Sequence, residues 1–210
     1  LMKLSTEELA KLNEGLNESN NFPMRDGKLI PIDPYEPYQK GETTSIDMIM
    51  GTNANELLYW IGELGGLFNY SAGMPIKYKA DIAKISKDDM QKVKTFMRVA
   101  KGNKVARITE FYNEIMFRLP AIYQAEGHSS NVGNIYMYYW KEESKIPLYK
   151  ACHAVELAYV FYNLDETIYT GERADEGLAK AISTMWVNFA KTGNPSLDDI
   201  KWSKYDKKKR

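Results

Sequence analysis

Along most of this chain the apolar residues recur every three or four positions, the spacing that turns one stripe of a helix toward a core. Ser5-Thr6-Glu7-Glu8 opens the first such stretch as a capping box, in which Ser5 and Glu8 satisfy each other's backbone amides. Leu9, Leu12 and Leu16 follow on one face. Residues 17–45 break the period with Pro23, Gly27, Pro31, Pro34 and Pro37, and read as a long irregular crossing segment. Ile46 to Met50 predicts a short buried strand ended by Gly51, with a short helix beginning around Asn55. Ser86-Lys87-Asp88-Asp89 starts another helix, carried by Met90, Val93, Met97 and Ala100. Val105, Ile108, Phe111, Tyr112 and Ile115 keep the helical period until Pro120, which either breaks the helix or opens a new one. Ile135 to Trp140 is aromatic and β-rich, the second strand. Leu178, Ile182, Met185, Trp186 and Phe189 mark the last helix, stopped by Thr192-Gly193-Asn194-Pro195.

Two short strands among five or six helices leave a physical problem, because a strand pair with unpaired edges is marginal by itself. Either helices cover both edges, or the strands belong to a larger sheet supplied elsewhere. The ends favour the second: Leu1 precedes Met2, and the chain stops in Lys207-Lys208-Lys209-Arg210 without a closing apolar element. The expectation is a piece of a longer chain, whose missing sheet neighbours leave an apolar surface. That surface would recruit a partner chain, a second copy or the absent half.

Composition narrows the function classes. The 210 residues carry 28 Lys+Arg against 28 Asp+Glu, so there is no basic excess to neutralise phosphates, and a nucleic-acid partner is not expected. No run of apolar residues is long enough for a membrane span. The single cysteine, Cys152, excludes an intrachain disulfide. Composition therefore predicts a soluble, folded, cytoplasmic protein.

Few residues can carry chemistry. Two histidines far apart, one cysteine and no His-Glu-x-x-His give no metal-ligand cluster, and no cofactor is expected. Gly62-Glu63-Leu64-Gly65-Gly66 lacks the lysine and the preceding strand of a phosphate-binding loop. Asn69-Tyr70-Ser71-Ala72-Gly73 lacks the first glycine of a nucleophile elbow, so Ser71 reads as an ordinary loop serine. His128, in Glu126-Gly127-His128-Ser129-Ser130, reads as an exposed loop histidine. His153 lies in a turn between a strand and a helix, where an isolated histidine is more often structural than catalytic. Cys152 beside it is not a thiol–imidazole pair, because adjacent side chains diverge.

Five blocks in order resemble the second half of the type-B carboxylesterases, the family of para-nitrobenzyl esterases and cholinesterases. They are Pro23-Met24-Arg25-Asp26-Gly27 with Ile30-Pro31, Gly51-Thr52-Asn53-Ala54-Asn55-Glu56, Phe117-Arg118-Leu119-Pro120-Ala121, His153-Ala154-Val155-Glu156-Leu157, and Trp186 through Pro195. The resemblance implies an α/β fold, the C-terminal portion of an α/β hydrolase, mostly helical with a few sheet strands, with residues 1–210 forming part of a single domain. It implies carboxylic-ester hydrolysis, with Glu56 as triad acid and His153 as general base, an order that agrees with Ser…Asp/Glu…His. Tyr59 and Trp60 resemble positions lining the substrate pocket, and helix-face packing explains them equally well. Glu156 would buttress the histidine loop. The nucleophile elbow and the oxyanion loop have no counterpart here, so the chain alone is expected to be inactive toward its small-molecule ester. Ala154 stands where the family has glycine, which is tolerable if its backbone is not left-handed. A non-catalytic binding module of the same family, and an autonomous helical interaction domain, are the competing readings.

Overall fold

The computed structural model describes residues 4–14, 23, 25–43, 45–63, 86–129 and 133–208. The elements follow from their local chemistry. Helix α1 (Thr6–Glu14) begins at the expected capping box, with the Ser5 amide donating to Glu8 Oε2 at 2.8 Å and the Glu8 amide donating to Ser5 Oγ at 3.3 Å. Its Leu9 and Leu12 stay exposed; Leu16 lies outside the described residues. The proline-rich stretch contains one four-residue helix, α2 (Glu36–Gln39), with Pro37 in its first turn, where the missing N–H costs nothing.

Strand β1 runs Met48–Asn53, which corrects the expectation that Gly51 would end it. Gly51 stands opposite Tyr138 in the sheet register, and a Cβ there would collide with the Tyr138 ring. The glycine permits close approach of a neighbouring side chain instead of terminating the strand. After α3 (Leu58–Glu63), helices α4 (Lys87–Val99) and α5 (Lys104–Asn113) start at Ser86 and Asn103, whose side chains accept from the amides three residues on. From Glu114 to Arg118 the helix widens into a π-turn, then continues as α6 (Leu119–Ser129). Pro120 therefore sits in the opening turn of a helix rather than at a break.

The second strand, β2 (Ile135–Trp140), has the bounds its composition predicts and pairs with β1 in parallel, from Met48 with Ile135 to Asn53 with Trp140. The Asn134 and Trp140 carbonyls face β1, so those of Ile135 and Met137 point to the other edge. There the Tyr205 amide donates to Ile135 O at 2.7 Å and Trp202 Nε1 to Met137 O at 3.1 Å. The closing segment thus covers that edge, whereas no described strand pairs with the other edge of β1.

The main core lies beyond the C-terminal ends of the strands. It gathers Trp140, Tyr149, Ala151, Cys152, Val155, Ala158, Tyr159 and Leu164 with Ala179. Helices α7 (Leu157–Val160) and α8 (Glu176–Thr192) close it. Helix α8 starts at the Asp175 cap and ends at Gly193, whose φ of 72° is the left-handed C-terminal signature its sequence announced. No described helix is long and apolar enough to cross a membrane.

One histidine departs from its expected setting. His128 is fully buried in the last turn of α6, with Nδ1 2.9 Å from Thr43 Oγ1. Residues 35–43 lie over that turn because Gly127 offers no side chain to hold Tyr38 away. A polar run that reads locally as loop is helix, covered by a segment almost a hundred residues earlier.

Candidate active site

Strand β1 delivers the chain into a tight turn at residues 54–57, and the turn presents Glu56. Its side chain is 7% exposed, with Oε1 accepting from the Asn53 amide at 2.7 Å. Asn113, at the end of α5, clamps the same turn: its Oδ1 accepts from the Leu57 amide at 3.0 Å and its Nδ2 donates to Ala54 O at 3.3 Å. Buried backbone groups that neither strand nor helix satisfies are met by one amide side chain.

The histidine arrives from the other strand. Beyond β2 the chain folds back so that the Ala54 amide donates to Trp140 O, the Asn55 amide to Ala151 O and the His153 amide to Glu56 O. These bonds carry the strand pairing into the loops and bring together side chains 97 residues apart: His153 Nδ1 lies 2.8 Å from Glu56 Oε2. A carboxylate has no proton to give near neutrality, so Nδ1 carries the proton and donates. The His153 side chain is 45% exposed, and its Nε2 has no hydrogen-bond partner among the described residues. The bond to Glu56 holds the imidazole above its ordinary pKa; partial burial opposes this, and the charges of Glu56 and then Glu156 reinforce it.

Two aromatic rings wall the imidazole. Trp60, on α3, has its ring centre 4.8 Å from that of His153, and Phe117, in the π-turn, stands at 5.8 Å. The two rings stack on each other at 6.0 Å. Tyr59 packs against Tyr149 and Tyr169 in the core and edge-on against Trp60. Cys152 points into the core, where burial pushes its thiol up to about 12 and keeps it protonated. A cavity of about 620 Å³ opens beside the acid turn, lined by Asn55, Leu58, Phe96, Glu110 and Asn113 among others, and it does not reach His153. Among the described residues no three His, Cys, Asp or Glu side chains converge as metal ligands would. Ser71 lies outside the described residues.

The histidine loop is strained. Leu148, Lys150 and Ala154 have φ of 75°, 49° and 67°, a region that favours glycine. Ala154 is therefore left-handed, the condition under which its methyl group is costly.

The arrangement is a carboxylate-held imidazole whose second nitrogen meets no partner among the described residues, the geometry a general base needs. Comparison with known proteins gives it a context. The sequence matches the profile described as "Carboxylesterase family" over residues 1–210. The chain belongs to the carboxylesterase family. It is 29% identical to the para-nitrobenzyl esterase of Bacillus subtilis (strain 168), in a match covering 100% of this chain and 44% of the relative. A solved structure of a para-nitrobenzyl esterase superimposes with a TM-score of 0.61 at 26% identity, covering 96% of this chain and 43% of that one. A carboxylesterase of Geobacillus stearothermophilus, at 18% identity, shares the fold with a TM-score of 0.73 over 99% of this chain and 44% of the other. The fold is that of an α/β hydrolase, and the chain spans less than half the length of these relatives.

Family motifs pointed to Glu56 and His153, and the structure brings the two together. Asn53, Asn113 and Phe117 were not singled out from the sequence as site residues. A signal existed for the two amides: asparagine is out of place both in a strand and in the body of a helix. Phe117 stood in one of the family blocks, but nothing local announces the π-turn that carries it to the imidazole.

Proposed function

We propose that this chain supplies the acid and the general base of a serine carboxylic-ester hydrolase. Its 210 residues would form the C-terminal part of a single α/β-hydrolase domain. The observation that carries the reading is the 2.8 Å contact between His153 Nδ1 and Glu56 Oε2, which leaves Nε2 unpaired among the described residues. In this reading a serine hydroxyl from polypeptide outside this chain gives its proton to His153 Nε2 as its oxygen attacks the acyl carbon. Glu56 fixes the tautomer and stabilises the imidazolium. The acyl–oxygen bond of the ester then breaks, and Nε2 returns the proton to the departing alcohol. Water repeats the sequence on the acyl-serine and frees the acid. Trp60 and Phe117 line the approach to the imidazole, and Tyr59 supports Trp60 from behind. The edge of β1 that no described strand covers would take a neighbouring strand of the sheet in the joined enzyme; in the chain alone, that edge favours self-association.

Hydrolysis of a short para-nitrophenyl ester tests this. The chain alone is expected to be silent, because in this reading the nucleophile and the oxyanion donors come from polypeptide outside it. Joined to the polypeptide encoded upstream of it, it is expected to turn over, with His153→Ala abolishing the rate. Turnover by the chain alone that survives His153→Ala would place the activity at another site and overturn the proposal.

A further inference from the structure

Asn53 is the least economical choice for the end of a buried strand. It is 3% exposed, where an apolar side chain would fill the space without desolvating an amide. Its Nδ2 donates to Cys152 O at 2.8 Å and also to a Glu156 carboxylate oxygen. Both partners accept only, so hydrogen-bond chemistry fixes which way the amide faces. Its Oδ1 is buried and meets no donor among the described residues. A residue kept only to fill the core would not carry that unmet acceptor.

The partners share a pattern. Cys152 immediately precedes the histidine, and Glu156 lies three residues after it. The backbone amide of Asn53 meanwhile holds Glu56 Oε1. One residue therefore touches the acid and both shoulders of the histidine loop. Between those shoulders lies Ala154, whose left-handed φ of 67° gives the loop a reason to relax if it is released. The interloop backbone bonds, Asn55 to Ala151 and His153 to Glu56, bring the loops alongside each other without fixing the imidazole ring.

We propose that Asn53 is a positioning residue for the Glu56–His153 pair, bridging the acid turn to Cys152 and Glu156 so that the imidazole meets the carboxylate. The proposal rests on the reading of Glu56 and His153 as acid and base. Burial first, and then the charges of Glu156 and Glu56, hold the nearby Tyr138 phenol of β2 protonated. The carboxylates facing His153 are thus Glu56 directly and Glu156 through the bridge.

Proton NMR of the whole chain tests this, and two histidines keep the assignment simple. A hydrogen-bonded Nδ1–H of His153 gives a slowly exchanging, far-downfield resonance, and the ring Cε1–H reports the titration midpoint. In Asn53→Ala the downfield resonance is expected to disappear and the His153 midpoint to lose most of its elevation, while the His128 signal and the circular dichroism stay as in the unaltered chain. Retention of both the resonance and the midpoint would overturn the proposal. Glu156 gives a second approach that leaves β1 untouched, should Asn53→Ala not fold. Glu156→Gln keeps an acceptor for the Asn53 amide and should keep the resonance, whereas Glu156→Ala should lose it; identical behaviour of the two would overturn the proposal. Glu56→Gln separates this inference from the one beneath it. A resonance absent from the unaltered chain, or unmoved by Glu56→Gln, removes the acid–base reading and this inference with it, whereas one moved by Glu56→Gln but not by Asn53→Ala removes the role of Asn53 alone. In the joined enzyme, Asn53→Ala should lower kcat by about 100-fold with KM unchanged, the signature of a misplaced rather than a missing group.

Discussion

Residues 53–57 and residues 148–154 face each other across the Glu56–His153 contact and three further hydrogen bonds, and each is held in shape by different means. The acid turn keeps ordinary backbone angles and is fastened by hydrogen bonds, from the Asn53 backbone amide to Glu56 on one side and through the Asn113 side-chain amide on the other. The histidine loop has three non-glycine residues in left-handed backbone and is fastened by burial, with Tyr149, Ala151, Cys152 and Val155 all in the core. The magnitudes show why the second arrangement survives. Each left-handed residue costs about 1–2 kcal/mol, while fully burying a large apolar side chain contributes about 1.5–3 kcal/mol. A carboxylate that must stay charged in a buried turn needs hydrogen-bond donors, which burial cannot supply. An imidazole that must remain reachable needs only a rigid platform, and packed core residues provide one.

The largest effect should come from the bond between the two regions. Glu56→Gln in the joined enzyme is expected to lower kcat by about 10⁴-fold, because an amide no longer selects the tautomer with Nε2 unprotonated. The same variant bears on pH. With Glu56 in place the folded imidazole titrates above its ordinary value, so its contribution to stability is complete below the unfolded pKa and lost as pH rises through the folded one. The base form needed for turnover accumulates over that same upper range. An acid limb of kcat/KM lying above the ordinary histidine midpoint, lowered in any variant that weakens the Glu56 contact, would check the sign.

Asn113→Ala isolates the acid turn. It leaves the Leu57 amide and the Ala54 carbonyl without their partner, and should lower stability by about 1–3 kcal/mol in urea unfolding. A neutral result would mean that water or the backbone takes over, and that the amide clamp is not what holds this turn. Ala154→Gly probes the other side with the opposite sign. It should stabilise the chain by about 1 kcal/mol, the strain relieved less the entropy glycine adds to the unfolded state. Cys152 marks the limit of no effect: iodoacetamide should leave the folded chain unmodified and label it once denaturant opens the core.

What could be read in advance divides along the same line. Strand β2, helix α8 and the capped starts of α1 and α4 were legible because their signals are local: β-branched and aromatic runs, side-chain caps and a terminal glycine. Gly51 misled because a glycine that ends a strand and one that admits a neighbouring ring look alike until Tyr138 is in place. His128 misled because the segment that buries it, around Tyr38 and Thr43, lies far away in sequence. Glu56 and His153 were legible only through motif resemblance, since no periodicity connects residues 97 positions apart. The left-handed Ala154 was open in sequence and is decided by the closure of the histidine turn.

The π-turn at Glu114–Arg118 amounts to one surplus residue in an otherwise α-helical run from Lys104 to Ser129. Were the same residues wound as uninterrupted α-helix, the second half would be turned against the first by about 100°. The inward set of the first half, Phe111, Tyr112 and Asn113, and that of the second, Ala125 and His128, could then no longer share one side. The clamp on the acid turn and the anchor of the covering segment are thus phased by the length of a single helix. A one-residue deletion within the π-turn would wind it into ordinary α-helix and keep both, whereas the same deletion in the regular helix on either side would force a choice between them.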